Sequence, residues 1–163
     1  MKEGFAIFPG SFDPPTYGHL NIVERASRIF KHVDVLVSTN AQKKSLFSSQ
    51  ERCDLMEEYC APYKNVDVIS WHGLIVEYAR EHDIRVIIRG LRPLSDFAYE
   101  FELAALNYQI NNHVETLFIP TATKYSVLRS SSLKEMAALG VELDAMAPPE
   151  VIAMLRQKLA SQE

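Results

Sequence analysis

The stretch AIFPGSFDPPTYGH, residues 6–19, runs three apolar residues into Pro9, Gly10, Pro14, Pro15 and Gly18 and ends on His19. GFAIF (4–8) reads as a buried strand. Gly10 follows where the chain must turn sharply or let a ligand approach the backbone. Pro14 and Pro15 bar helix formation upstream and stiffen the loop. Thr16 can cap a helix that starts at Tyr17, with Gly18 and His19 in its first turn. The free N–H groups of that turn, together with the helix dipole, favour an anion. His19 is then placed to touch a phosphate oxygen, and Gly18 removes a side chain that would block the approach. A strand, a stiff loop and a helix start of this kind form the opening unit of an α/β sheet.

The rest of the chain repeats that unit. HLNIVERASRIFKH (19–32) puts Leu20, Val23, Ala26 or Ser27, and Phe30 on one helical stripe. Valine-rich VDVLVST (33–39) is a strand, and SSQERCDLMEEYC (48–60) is a helix that opens with Ser48 and Glu51 in capping-box spacing. VDVIS (66–70) is a strand, LIVEYAREH (74–82) a helix and RVIIRG (85–90) a strand. SDFAYEFELAALNYQINN (95–112) is a long helix with Phe97, Phe101, Ala104 and Tyr108 in register, and VETLFIP (114–120) is the last strand. Two further helices are predicted near 130–139 and 149–160. Strands separated by helices pair mostly in parallel. The expectation is a single doubly wound, Rossmann-like α/β domain over residues 1–163 with a five-stranded, mostly parallel sheet. Ligands of such sheets bind beyond the carboxyl ends of the strands, at the topological switch point.

The segments after the strands hold the positive charge: Lys43 and Lys44, Arg89 and Arg92, Lys124 and Arg129. The chain as a whole is acidic, with net charge −4 and pI about 5.7. Bulk charge therefore gives no case for nucleic-acid binding, whereas a local cation cluster at one sheet edge suits a polyphosphate. With 47% apolar residues in 163, the composition supports one sizeable core. MKEGFAIF lacks the apolar run of a signal peptide, and no run has the length of a membrane span. Cys53 and Cys60 fall in one predicted helix about 10 Å apart, too far for a disulfide. They read as buried thiols in a reducing compartment, which makes a cytoplasmic location the expectation.

GSFDPPTYGH resembles the Thr/His-x-Gly-His signature of the nucleotidylyltransferase superfamily. FPGSFDPPTYGHLNIVERA, KKSLFSSQER, IIRGLRPLSDFAYEFELAALN and KYSVLRSSSLKE, in that order and spacing, resemble the bacterial phosphopantetheine adenylyltransferase family nearly end to end. The first motif indicates the superfamily alone; RGLR and DFAYE between it and the serine segment are the more specific pieces. The resemblance implies attack of the 4'-phosphopantetheine phosphate on the α-phosphorus of ATP, assisted by Mg²⁺, giving dephospho-coenzyme A and pyrophosphate. It implies that His19 donates to the α-phosphate and that Ser11 and Phe12 lie in the first phosphate loop, where Ser11 contacts phosphate. Lys43 and Arg89 correspond to residues that hold the phosphopantetheine phosphate, and Ile75 to one lining the pantetheine arm. Gly90, Leu91 and Arg92 match an ATP-contacting loop. Tyr125, Ser126, Val127, Leu128, Arg129, Ser130 and Ser131 match the segment on the nucleotide's far phosphates. The family further implies a homohexamer and coenzyme A as a feedback ligand.

Several of these residues carry a second reading. Glu100 matches a nucleotide contact and equally suits a paired acid on a helix. Ser130 and Ser131 can donate to phosphates or cap a helix. Asp13 reads as a turn former or an organiser of the loop. Lys43 can be a solvated charge, and Ile75 taken alone is core. Arg129 stands where the family has serine, so it either adds a phosphate contact or points into an interface. Three other functions compete: another transferase of the superfamily, a class I synthetase core, and a non-catalytic nucleotide sensor. Lys43, Arg89 and RGLR argue against the first, the short chain without a Lys-Met-Ser-Lys-Ser stretch against the second, and His19 against the third.

Overall fold

The structure is a computed structural model that describes residues 2–39, 44–92 and 94–161. Its elements follow in the order β1 (Phe5–Gly10), α1 (Tyr17–Ile29), β2 (His32–Ser38), α2 (Ser49–Cys60), β3 (Val66–Trp71), α3 (Ile75–Glu81), β4 (Val86–Leu91), α4 (Leu94–Ile110), β5 (Glu115–Pro120), a 3-10 turn (Thr123–Tyr125), α5 (Ser130–Ala138) and α6 (Pro149–Ala160). The five strands form one sheet in the order β3-β2-β1-β4-β5. Every pairing is parallel. The doubly wound Rossmann-like sheet expected from the sequence is therefore present, and its switch point lies between β1 and β4.

Alternation along the strands builds a core on each face of the sheet. Ala6 and Phe8 of β1, with Val33, Val35 and Val37 of β2, pack against Ile22, Val23 and Ala26 of α1 and Cys53, Met56 and Cys60 of α2. Ile7 and Leu36 point the other way, onto Val76, Tyr78 and Ala79 of α3. Strands covered on both faces need continuous apolar runs, which is why GFAIF and VDVLVS show little polar alternation. A third cluster joins Leu55 of α2 to Leu133 of α5 and Val151 and Leu155 of α6. Cys53 and Cys60 are free and buried, and burial pushes the Cys60 thiol up to about 12. Among the described residues no helix is long and apolar enough to cross a membrane.

One boundary and two packing details add to the picture drawn from the sequence. α1 stops at Ile29, because Phe30 turns extended and the Gly4 carbonyl accepts from the Lys31 and His32 N–H groups at 2.8 and 3.3 Å. His32 thus opens β2 instead of closing α1. The buried stripe of α1 includes Ile22, which the expected stripe omitted; it fits because Gly90 has no Cβ, an atom that would lie 3.1 Å from Ile22 Cγ1. On α4, Phe97, Phe101 and Tyr108 face outward to a large extent and are not core.

Candidate active site

β1 pairs with β4 at Ile7↔Ile87, whereas the β1–β2 ladder runs from Phe5↔His32 to Gly10↔Val37. The short ladder leaves the carboxyl ends of β1 and β4 to line a cleft, the position expected for a ligand in such a sheet. Its inner part is formed by Pro9, Gly10 and Ser11 after β1, Thr16, Gly18 and His19 at the start of α1, Arg89, Gly90 and Arg92 at the end of β4, Glu100, Thr121 and Leu128. Ser11, His19, Arg92 and Glu100 continue into an outer part with Asp13, Lys44, Arg129, Ser130, Ser131 and Lys134.

His19 is oriented by its own helix start. Its Nδ1 accepts from the Thr16 N–H at 3.0 Å and lies 3.0 Å from the Thr16 hydroxyl. An Nδ1 that accepts leaves the ring proton on Nε2, the nitrogen available to the cleft. Burial, then the charges of Arg92 and Arg89, lower the imidazole to about 3. His19 is accordingly a neutral hydrogen-bond donor at neutral pH.

The loop beneath it is held from several sides. Phe12 adopts φ 47°, the left-handed region that non-glycine residues seldom occupy. Its ring is fully buried, 5.6 Å from the Phe8 ring and edge-on to His19 at 5.1 Å. A Cβ on Gly10 would meet that ring at 2.7 Å. Gly10 is needed for the approach of Phe12. Asp13 accepts from the Leu46 and Phe47 N–H groups at 3.1 and 2.8 Å and from Lys134 Nζ at 2.8 Å. Burial opposes its ionisation, but those donors outweigh it and keep the carboxyl below its ordinary range. Arg52, itself buried, donates to the carbonyls of Ser11 at 2.7 Å and Ser38 at 3.0 Å. Loop, β2 end and helix start are thereby one hydrogen-bonded assembly.

Of the residues singled out in the sequence, Ser11, His19, Arg89, Gly90, Arg92, Glu100, Leu128, Arg129, Ser130 and Ser131 all line the cleft. Arg89 uses each of its three nitrogens: Nε and Nη2 bind Glu100 at 2.6 and 2.8 Å, and Nη1 donates to the Pro9 carbonyl at 3.1 Å. Glu100 is thus the paired acid of the second sequence reading, and it lines the cleft. The Ser130 hydroxyl donates to the Pro14 carbonyl at 2.7 Å and ties α5 to the first loop. Arg92 Nη1 donates to the Leu128 carbonyl at 2.9 Å. Phe12 presents no side chain to the cleft. Leu91 ends β4 beside the lining residues. Tyr125 stacks on Tyr17 at 6.0 Å, Ser126 donates to the Thr123 carbonyl, and Val127 is exposed; none of the three is in the lining. Ile75 starts α3 and packs with the core on the other face. Lys43 lies outside the described residues. Thr121, Lys44 and Lys134 line the cleft without having been assigned a role; Thr121 follows directly after a strand, the position that marked the others.

Residues 7–136 match the cytidylyltransferase-like family, and the chain belongs to it. A crystal structure from Vibrio parahaemolyticus, provisionally assigned as a nicotinate-nucleotide adenylyltransferase, superposes with a TM-score of 0.69 over 98% of this chain and 96% of its own; at 18% identity it shows the fold alone. Within the family the chain groups with the phosphopantetheine adenylyltransferases. The protein of that name from Geobacter sulfurreducens is 44% identical over 160 residues, covering 98% of each chain. That from Geotalea daltonii is 46% identical over 97% of this chain and 98% of its own. That from Clostridium perfringens is 42% identical over 99% of this chain and 97% of its own.

Proposed function

We propose that this chain transfers the adenylyl group of ATP to 4'-phosphopantetheine, giving dephospho-coenzyme A and pyrophosphate. The observation that carries the reading is His19, locked by Thr16 with its Nε2–H available to a cleft lined by Arg89 and Arg92. The acceptor is a phosphate monoester whose second pKa is about 6, so it is largely dianionic at neutral pH and needs no general base. One of its oxygens bonds to the α-phosphorus as the bond to the bridging β-oxygen breaks, and pyrophosphate leaves. Charge builds on the α-phosphoryl oxygens, where His19 Nε2–H donates; a preorganised neutral donor of this kind acts mainly on the transition state. Arg92, Arg129, Ser131 and the loop at Ser11 position the nucleotide phosphates, with Gly90 and Leu91 beside the nucleotide. Lys43 and Arg89 hold the acceptor phosphate, Arg89 sharing its guanidinium with Glu100. Tyr125, Ser126 and Val127 contribute through their turn, and Ile75 flanks the pantetheine arm.

Mg²⁺ belongs to the proposal as a companion of the triphosphate. The cleft carboxylates, Asp13 and Glu100, are both engaged by basic residues at 2.8 Å or less. The described residues of the cleft therefore form no cage for the ion, and it is the nucleotide phosphates that suit it. We also assign the chain to the cytoplasm, in keeping with its free thiols, as a homohexamer with coenzyme A as an inhibitory ligand of the same cleft. Pyrophosphate release from ATP with and without 4'-phosphopantetheine tests the reading. Release should depend on the acceptor and match dephospho-coenzyme A formed; release driven equally well by nicotinate mononucleotide would point to a different transferase.

A further inference from the structure

We propose that His32, Asp34 and Asp67 bind one transition-metal dication of the zinc type, at the sheet edge opposite the nucleotide cleft. His32 opens β2, and Asp34 stands two residues on, paired across the sheet with Asp67 of β3. The cleft lies at the carboxyl ends of the strands, whereas this cluster lies at the amino ends of β2 and β3. His32 Nε2 is 3.0 Å from Asp34 Oδ1 and 3.3 Å from Asp67 Oδ2, and the three atoms lie within 4.8 Å of one another. Ligands about 2.0–2.2 Å from a tetrahedral dication lie about 3.3–3.6 Å apart, close to the two histidine–carboxylate separations, and the exposed Asp67 side chain is free to close the third.

Electrostatics point the same way. Like charges directly across a strand pair are destabilising, and one imidazole nitrogen carries at most one proton to share between two carboxylates. Asp34 is 5% exposed, and a carboxylate buried to that degree requires a counter-charge. Among the described residues, the side chains bonded to it are His32 and Tyr78, neither a permanent cation. The Tyr78 hydroxyl donates to Asp34 Oδ2 at 3.0 Å, which aims Oδ1 at the cluster in the manner of an outer-shell partner. The Phe5 ring, 4.9 Å from the imidazole, fixes its plane. The Asp67 side chain is 70% exposed, so an ion has a route in and water can complete its coordination. A nitrogen and two carboxylates suit Zn²⁺, Co²⁺ or Mn²⁺ better than Mg²⁺. The inference is independent of the adenylyl-transfer reading.

Calorimetric titration of Zn²⁺ and Co²⁺ into the full chain, in excess Mg²⁺, tests it. One ion should bind per chain, with thermal stabilisation by Zn²⁺ and a Co²⁺ visible spectrum that changes in His32→Gln. Asp67→Asn, at an exposed position where folding is preserved and checked by circular dichroism, should abolish stoichiometric binding. Tyr78→Phe should weaken it about 10–100-fold. Absence of stoichiometric Zn²⁺ binding would mean a histidine ion-paired between two carboxylates and overturn the proposal. So would binding that survives both His32→Gln and Asp67→Asn, which would place the ion elsewhere, for instance at the thiols.

Discussion

The role proposed for His19 rests on its tautomer. Thr16 supplies an N–H to Nδ1, so the proton that matters is on Nε2 whatever the ligand does. Because the donor is preformed, His19→Ala should lower kcat about 10²–10³-fold while the ATP dissociation constant changes far less. Steady-state kinetics beside equilibrium nucleotide binding separates the two, and equal losses in both would make His19 a ground-state contact. The same residue should leave a mark on stability. Its folded value of about 3 lies below the ordinary 6.5. Across that window the unfolded chain binds more protons than the folded one, so stability rises with pH up to about 6.5 and is flat above. Between pH 6.5 and 5, His19 should cost about 1–2 kcal/mol. Denaturant midpoints for wild type and His19→Gln at pH 7 and pH 5 check this; the variant should lose less on acidification, and parallel losses would refute it.

The loop between β1 and α1 works as an element because two glycines do different jobs. Gly10 faces the Phe12 ring, and a Cβ would sit 2.7 Å from it. Gly10→Ala must displace either that ring or the strand end, a cost of about 1–3 kcal/mol, with His19 disturbed because Phe12 supports it. At Gly18 the nearest atoms to an added Cβ lie at 3.4 Å or more, and the position is helical but lines the cleft. Alanine there should leave stability unchanged or raise it by up to about 1 kcal/mol, yet weaken ATP binding by occupying ligand space. Thermal melts and nucleotide titrations of both variants provide the contrast. The alternation of apolar runs with helical stripes made the strands, their parallel pairing and the cleft's position readable from sequence. So was the capping box of α2, where Ser48 and Glu51 exchange both expected hydrogen bonds. What the letters did not reveal were long-range facts. A left-handed Phe12 under a histidine, an Asp13 carboxylate anchored 33 and 121 residues away, and a Glu100 clamped on Arg89 all depend on which loops meet. The end of α1 depends on the same kind of contact: the carbonyl that takes the Lys31 and His32 N–H groups into the extended chain belongs to Gly4, at the start of the chain.

At the scale of the molecule, an acidic chain gathers Lys44, Arg89, Arg92, Arg129 and Lys134 around one cleft and leaves α4 unusually bare. At 3.6 residues per turn, Phe97, Phe101 and Tyr108 fall on one side of α4, and Tyr99, Leu106 and Ile110 on the opposite side. All six are 42–62% exposed, and Leu117 on the edge strand β5 is 46% exposed. A helix that is apolar on both sides is normally buried on both, and an apolar surface of this breadth marks an interaction site. Two separate faces on one helix suit an assembly in which each chain meets more than one neighbour, the arrangement closed symmetry provides. The expected solution mass is six times the 18.5 kDa chain. Leu106→Glu inserts a charge into one of the two rows, so it should break contacts on that side and lower the mass while leaving the monomer fold intact, since Leu106 is 52% exposed. Light scattering of wild type and variant, with circular dichroism as the control for folding, measures this. A wild-type mass near 18.5 kDa at micromolar concentration would show that both rows of α4 face water in solution and that the hexamer is wrong.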